Sequence, residues 1–115
     1  MEPGRLVEGI TLRFEDGPVR AVVPHAFSES RKLALTREVE CKRHGVRERA
    51  GWVIVHVQSG RRVWLLDRLS DARLMLRLLD RAADWGFWEH EESAIARAFS
   101  ACSTIFANFP AAIRA

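Results

Sequence analysis

The stretch GWVIVHVQSGRRVWLL (Gly51–Leu66) decides the fold. Two apolar runs rich in valine, tryptophan and leucine flank Ser59-Gly60, the pattern of a β-hairpin with a tight turn. With Ser59-Gly60 as a two-residue turn, Ile54 falls opposite Leu65, Val55 opposite Trp64 and His56 opposite Val63. One face then carries Val53, Val55, Val57, Trp64 and Leu66, and the other Trp52, Ile54, Val63 and Leu65. Ser-Gly forms such turns less well than Asn-Gly, which leaves a one-residue slip open. Apolar surface on both faces has to be covered. Helices are expected on one side; the other needs the first hairpin folded across it, or a second copy of the chain.

Upstream, LVEGITLRF (Leu6–Phe14) alternates. Leu6, Ile10, Leu12 and Phe14 share one face, and Val7, Thr11 and Arg13 the other, as in a half-buried strand. EDGP (Glu15–Pro18) is a turn signal, VRAVV (Val19–Val23) a returning strand, and Pro24 its end. Between Ser28 and Gly45 the pattern reads two ways. As a strand, Leu33, Leu35, Val39 and Cys41 share a face with Glu38, Glu40 and Lys42 opposite; as a helix, only Leu35 and Val39 pair cleanly. A strand over about Leu33 to Lys42 fits better, which leaves HGVRERAG (His44–Gly51) as a charged connection.

Downstream lie two helices. Ser70 with Asp71 marks an N-terminus, and Leu74, Met75, Leu78, Leu79, Ala82 and Trp85 form an apolar stripe that Gly86 terminates. Glu89, Glu91 and Glu92 suit the start of a second helix, where acids meet the positive end of the dipole. Ala94, Ile95, Ala98, Phe99, Cys102, Ile105, Phe106 and Phe109 recur at helical spacing up to Pro110. The expected class is α+β: an antiparallel sheet of four or five strands in two hairpins, followed by two C-terminal helices packed on one face.

At 115 residues the chain is expected to form a single domain (1–115) with a core that needs no metal or disulfide. Cys41 and Cys102, few and far apart, read as free thiols, although one bridge stays open. The opening MEPGRLVEGI lacks the charged and apolar regions of a secretory signal, and Arg97, Asn108 and Pro110 interrupt the most apolar late stretch. The expectation is a cytoplasmic protein without a membrane span.

Positive charge concentrates in the middle of the chain. Residues 31–62 hold nine lysines and arginines against Glu38, Glu40 and Glu48, whereas the overall formal charge is only +3. Most cations are arginine, which favours bidentate contact with phosphate or carboxylate. If the strand over Leu33–Lys42 and the Arg61-Arg62 tip share one side of the sheet, Lys42, Arg43, Arg47, Arg49, Arg61 and Arg62 form one patch fit for nucleic acid or a nucleoprotein complex. A solvated arginine-rich face is the plainer alternative.

Other chemistry is thin. Cys41-Lys-Arg-His44 with His56, His90 or Cys102 is a single loose ligand pair, short of the two paired clusters of structural zinc. His56, flanked by aliphatics, reads as a buried histidine with a hydrogen-bonded ring; catalysis would need a carboxylate or nucleophile converging on it or on His90. No phosphate-cradling glycine loop occurs, and no cofactor is expected. Of the four tryptophans, Trp52, Trp64 and Trp85 fall on apolar faces, while Trp88 with Phe87 forms an aromatic corner suited to a protein contact.

Trp52–Val63 followed by a helix closing at Asp84-Trp85 resembles a strand–turn–strand–helix unit of small proteins from phages and other mobile elements. The resemblance rests on Trp52, His56, Ser59, Gly60, Asp84 and Trp85 and carries no activity over. It implies a mobile-element origin, where short proteins without active sites often act by binding host machinery. The sequence thus points to a non-enzymatic binding protein for nucleic acid, with a protein-interaction module, inhibitor or homodimer as the alternative.

Overall fold

The computed structural model describes residues 9–13, 19–42, 45–88 and 90–112, with the side chains at 19–21, 40–42 and 45–49 excepted. Strands β1 (Ile10–Arg13) and β2 (Val19–Val22) pair antiparallel as a small sheet of their own. Strands β3 (Ala26–Phe27), β4 (Leu33–Lys42), β5 (Gly45–His56) and β6 (Arg61–Leu66) form a four-stranded antiparallel sheet in sequential order. Helices α1 (Leu69–Ala82), α2 (Glu92–Ala101) and α3 (Ser103–Asn108) follow. The architecture is α+β, as the strand and helix patterning requires.

Each face of the sheet has its own core. On the helix side, Leu33, Leu35, Ile54 and Leu66 pack with Ala72, Met75, Leu76, Leu79, Trp85 and Phe87. On the other, Ala34, Val53 and Val55 pack with Ile10 and Leu12 of the first hairpin. The chain therefore covers the second face itself. A backbone bond from Arg13 N–H to the Gly60 carbonyl (2.8 Å) ties β1 to the β5–β6 turn. Gly60 has φ +74°, and a Cβ there would sit 2.6 Å from the Thr11 carbonyl oxygen, so glycine alone fits both the turn and the approach of β1.

The β5–β6 register differs from the expected one. Ile54 pairs with Trp64 and Val53 with Leu65, but Val55 pairs with Arg62 and His56 with Arg61. Val63 is an extra residue in β6, a bulge that absorbs the slip, and residues 57–60 make a longer turn than Ser59-Gly60 alone. As a result Trp64 and Leu66 join Trp52 and Ile54 on the helix side, and Leu65 joins Val53, Val55 and Val57. That corrects the assignment of Trp64, Leu66 and Leu65.

A second irregularity lies in β4. The register shifts between Arg37, opposite Trp52, and Val39, opposite Glu48. Val39 accordingly packs on the first-hairpin side, not with Leu33 and Leu35 as strict alternation demands. The connection expected over His44–Gly51 is strand from Gly45 onward. Beyond the shift, positions 39–42 pair with 45–48, and among the described strands no third one flanks them. They form a two-stranded ribbon about 13 Å long at about 3.3 Å per residue.

The helices also depart in detail. α1 begins at Leu69, with Arg68 at the N-cap and no side-chain cap bond, so Ser70 and Asp71 lie in its first turn. Its buried stripe is Ala72, Met75, Leu76 and Leu79; Leu74 and Leu78 face solvent. α1 ends at Ala82, before Gly86, and the Trp85 indole N–H donates to the Leu79 carbonyl (2.8 Å), satisfying one of the helix's free C-terminal acceptors. The single last helix is two, α2 and α3, broken at Cys102. The break lets Phe106 stack on Phe99 while also meeting Trp64 at 4.6 Å. Past α3, Ala112 N–H donates to the Leu65 carbonyl and the Phe109 carbonyl accepts from the Trp64 indole, so the chain covers part of the β6 edge. No helix among the described residues is long and apolar enough to cross a membrane.

Candidate functional site

Topology divides the six cations expected to act together. Lys42 pairs with Gly45 at one end of β5, whereas Arg61 pairs with His56 at the other. Across the twelve residues of β5 that separation is about 35 Å at about 3.3 Å per residue. Lys42 and Arg47 belong to the ribbon and Arg49 follows it in β5; their side chains, and Arg43 altogether, lie outside the described residues. Arg61 and Arg62 sit on the edge strand β6, so they stand apart from Lys42.

The ribbon instead leads into cations the sequence reading passed over. At its base the exposed Arg37 guanidinium lies over the Trp52 ring, 5.0 Å from the centroid. His25 meets the same ring edge-on at 5.0 Å, and Arg73 of α1 donates to His25 Nε2 at 3.0 Å. From Arg73 the exposed Arg77 and Arg81 continue along α1. Four-residue spacing puts these three on one helix face at steps of about 6 Å. Arg31, with its guanidinium 4.2 Å from the Phe27 ring centroid, stands beside the same end of the molecule, where Phe27, Arg73, Arg77 and Arg81 line a depression of about 210 Å³. Acids interrupt the track: Glu40 pairs with Arg47 and Glu48 with Val39 in the ribbon, and two more stand beside α1. Asp80 is engaged with Ser30, through the backbone N–H at 3.1 Å and the hydroxyl, and Glu29 is exposed. The Arg73, Arg77 and Arg81 spacing is visible in the sequence; their meeting with His25 and the ribbon base is not, because it depends on contacts between distant segments.

At the other end, His56 is buried and both ring nitrogens are bonded. Nε2 lies 2.7 Å from the Trp85 carbonyl and Nδ1 lies 2.7 Å from Ser59 Oγ. A carbonyl only accepts, so Nε2 carries the proton and the Ser59 hydroxyl donates to Nδ1. Burial lowers the His56 pKa below its ordinary 6.5, against a smaller opposing effect from the Trp85 carbonyl. The ring stacks on Phe87, 4.4 Å between centroids. Ser59 Oγ also accepts the Arg61 backbone N–H at 3.2 Å. A serine donating to imidazole has the polarity of a nucleophile and its base, but oxyanion donors are needed as well. Fastening the turn to the Trp85 segment explains both bonds of His56.

Phe87, expected to form a protein-contact corner with Trp88, is core, its ring covering His56; Trp88 is 55% exposed. Cys102 is a buried free thiol whose pKa burial raises. Cys41 and His44 fall outside the described side chains, and among the described residues no group of three or more His, Cys, Asp or Glu stands close enough to hold a metal. Comparison with protein-family models, curated proteins and solved structures finds no match.

Proposed function

We propose that the protein is a non-enzymatic binder of nucleic acid that holds the phosphate backbone with an arginine track. The track runs from the ribbon, which carries Lys42 and Arg47, through Arg37, to Arg73, Arg77 and Arg81 on α1. The carrying observation is the relay of Arg37, Trp52, His25 and Arg73, which joins the ribbon base to the helix without a gap. Trp52 is stacked beneath Arg37 and edge-on to His25, so its ring serves to hold cations in place, not to stack on bases. Contacts of this kind fix position on the duplex and carry little sequence preference.

The test is fluorescence anisotropy with a labelled random duplex and a labelled single strand at low salt. Arg73→Ala/Arg77→Ala/Arg81→Ala should weaken binding by at least about tenfold, at roughly one released counterion per lost contact, while Arg61→Ala/Arg62→Ala leaves it nearly intact. No binding at low salt, or equal losses in both variants, overturns the reading.

A second reading, a protein-interaction module or inhibitor, is favoured by the exposure of Trp88. The first hairpin already fills the second sheet face, so a homodimer would have to use another surface. Light scattering of the wild type and Trp88→Ala tests it: loss of an oligomer in the variant supports the reading, and a monomer in both removes the homodimer.

A further inference from the structure

The acids beside α1 stand at one particular place, a depression of about 210 Å³ between the β3–β4 loop and the helix. Ser28 and Glu29 line it from the loop, and Leu76, Arg77, Asp80 and Arg81 from α1. A carboxylate beside guanidinium groups weakens a site that holds phosphate alone. The two acids differ in what they are already doing. Asp80 accepts the Ser30 backbone N–H at 3.1 Å and the Ser30 hydroxyl, which fastens the loop to the helix. Glu29 is exposed at the rim, as are Arg77 and Arg81, while Leu76 is buried beneath them. One face of the Phe27 ring is taken by the Arg31 guanidinium, 4.2 Å from its centroid. A planar group in the depression therefore meets the Arg77 and Arg81 guanidinium planes, flat surfaces on which bases stack.

We propose that the depression takes one unpaired base that presents an amino group. The amino group donates to the Glu29 carboxylate, and the flanking phosphates lie on Arg73, Arg77 and Arg81. The inference rests on the phosphate track proposed above and adds a base preference to it. At about 30 Å³ per water-sized group the space takes about seven such groups, close to one pyrimidine and well short of a base pair. Cytosine has that size and carries an N4 amino donor, which aspartate and glutamate accept. Uracil and thymine carry a carbonyl at the same place, and a carboxylate, which only accepts, repels it. In a duplex the base stays in the stack, so the depression reads single strands, and paired stretches are held through their phosphates alone.

Fluorescence anisotropy with labelled oligodeoxycytidine and oligodeoxyuridine of equal length at neutral pH tests the site, because their phosphates and sugars are identical. Oligodeoxycytidine should bind at least about threefold tighter, the worth of one added hydrogen bond. Glu29→Gln, whose carboxamide both donates and accepts, should bring the two strands to equal affinity without weakening oligodeoxyuridine. Annealing each strand to its complement should erase the preference. Arg73→Ala/Arg77→Ala/Arg81→Ala should weaken both strands together. The proposal is overturned if the wild type binds the two strands alike, if Glu29→Gln keeps the preference, or if the duplexes keep it. Strands that bind alike yet are weakened by the triple variant overturn the base site and leave the phosphate track standing. No binding of either strand or duplex at low salt overturns both.

Discussion

The His56 imidazole donates from Nε2 to the Trp85 backbone carbonyl at 2.7 Å, joining the end of β5 to the segment that follows α1. Because its pKa is lowered by burial, the unfolded chain binds a proton at His56 more readily than the folded one does. By linkage, this group's contribution to stability is complete above its unfolded pKa of about 6.5. It is lost as pH falls from there towards the lower folded value. Urea unfolding between pH 8 and pH 5 should therefore show stability declining below about 6.5, by at most about 1.4 kcal/mol per pH unit from this one group. In His56→Gln that component of the decline should vanish. A slope unchanged in the variant assigns the effect elsewhere.

The Trp85 indole should matter for the same junction. Trp85→Phe keeps most of the ring packing but leaves the Leu79 carbonyl without its donor. A buried acceptor stripped of its partner costs about 1–3 kcal/mol, and lost ring volume adds to that. Thermal unfolding should register a drop of several degrees; an unaltered midpoint contradicts the capping role.

Gly60 is the most constrained position in the turn. Gly60→Ala forces a side chain into left-handed backbone, at roughly 1 kcal/mol or more, and drives its Cβ against the Thr11 carbonyl. The expected loss exceeds about 2 kcal/mol. It should be accompanied by faster hydrogen exchange at Arg13, whose amide bonds the Gly60 carbonyl. Slow exchange at Arg13 in the variant would mean that β1 is held by other contacts.

Much of the architecture is legible in the sequence because period-two apolar patterns and turn residues are local signals. Ile10 and Leu12 bury while Thr11 and Arg13 face out, and the strand over Leu33–Lys42 forms within those limits. Register is different. The extra residue at Val63 is chosen by how Trp64 packs against Phe106 and by the turn that Ser59 and His56 fasten, both contacts between distant segments. Phe87 shows the same limit: its burial depends on finding His56, thirty-one positions earlier, for its ring to cover.

The candidate sites follow this division. Clustering of cations along the chain correctly marks the middle third as basic, yet it merges residues that β5 holds apart. Arg49 and Arg61 are twelve positions apart along the chain, and antiparallel pairing sets Arg61 opposite His56, seven residues of β5 from Arg49 and about 23 Å at about 3.3 Å per residue. Conversely Arg37 and Arg73 are far apart in sequence and meet through Trp52 and His25. Aromatic and histidine side chains that mediate such meetings leave no local pattern to read.

The central claim is that cations along the ribbon and α1 contact phosphates. The most direct measurement is the slope of log affinity against log salt for a DNA duplex, compared between the wild type and Arg73→Ala/Arg77→Ala/Arg81→Ala. Each lost phosphate contact reduces the slope by about 0.9, so the triple variant should be shallower by about 2 to 3. An identical slope in the two proteins, or affinity insensitive to salt, contradicts the account.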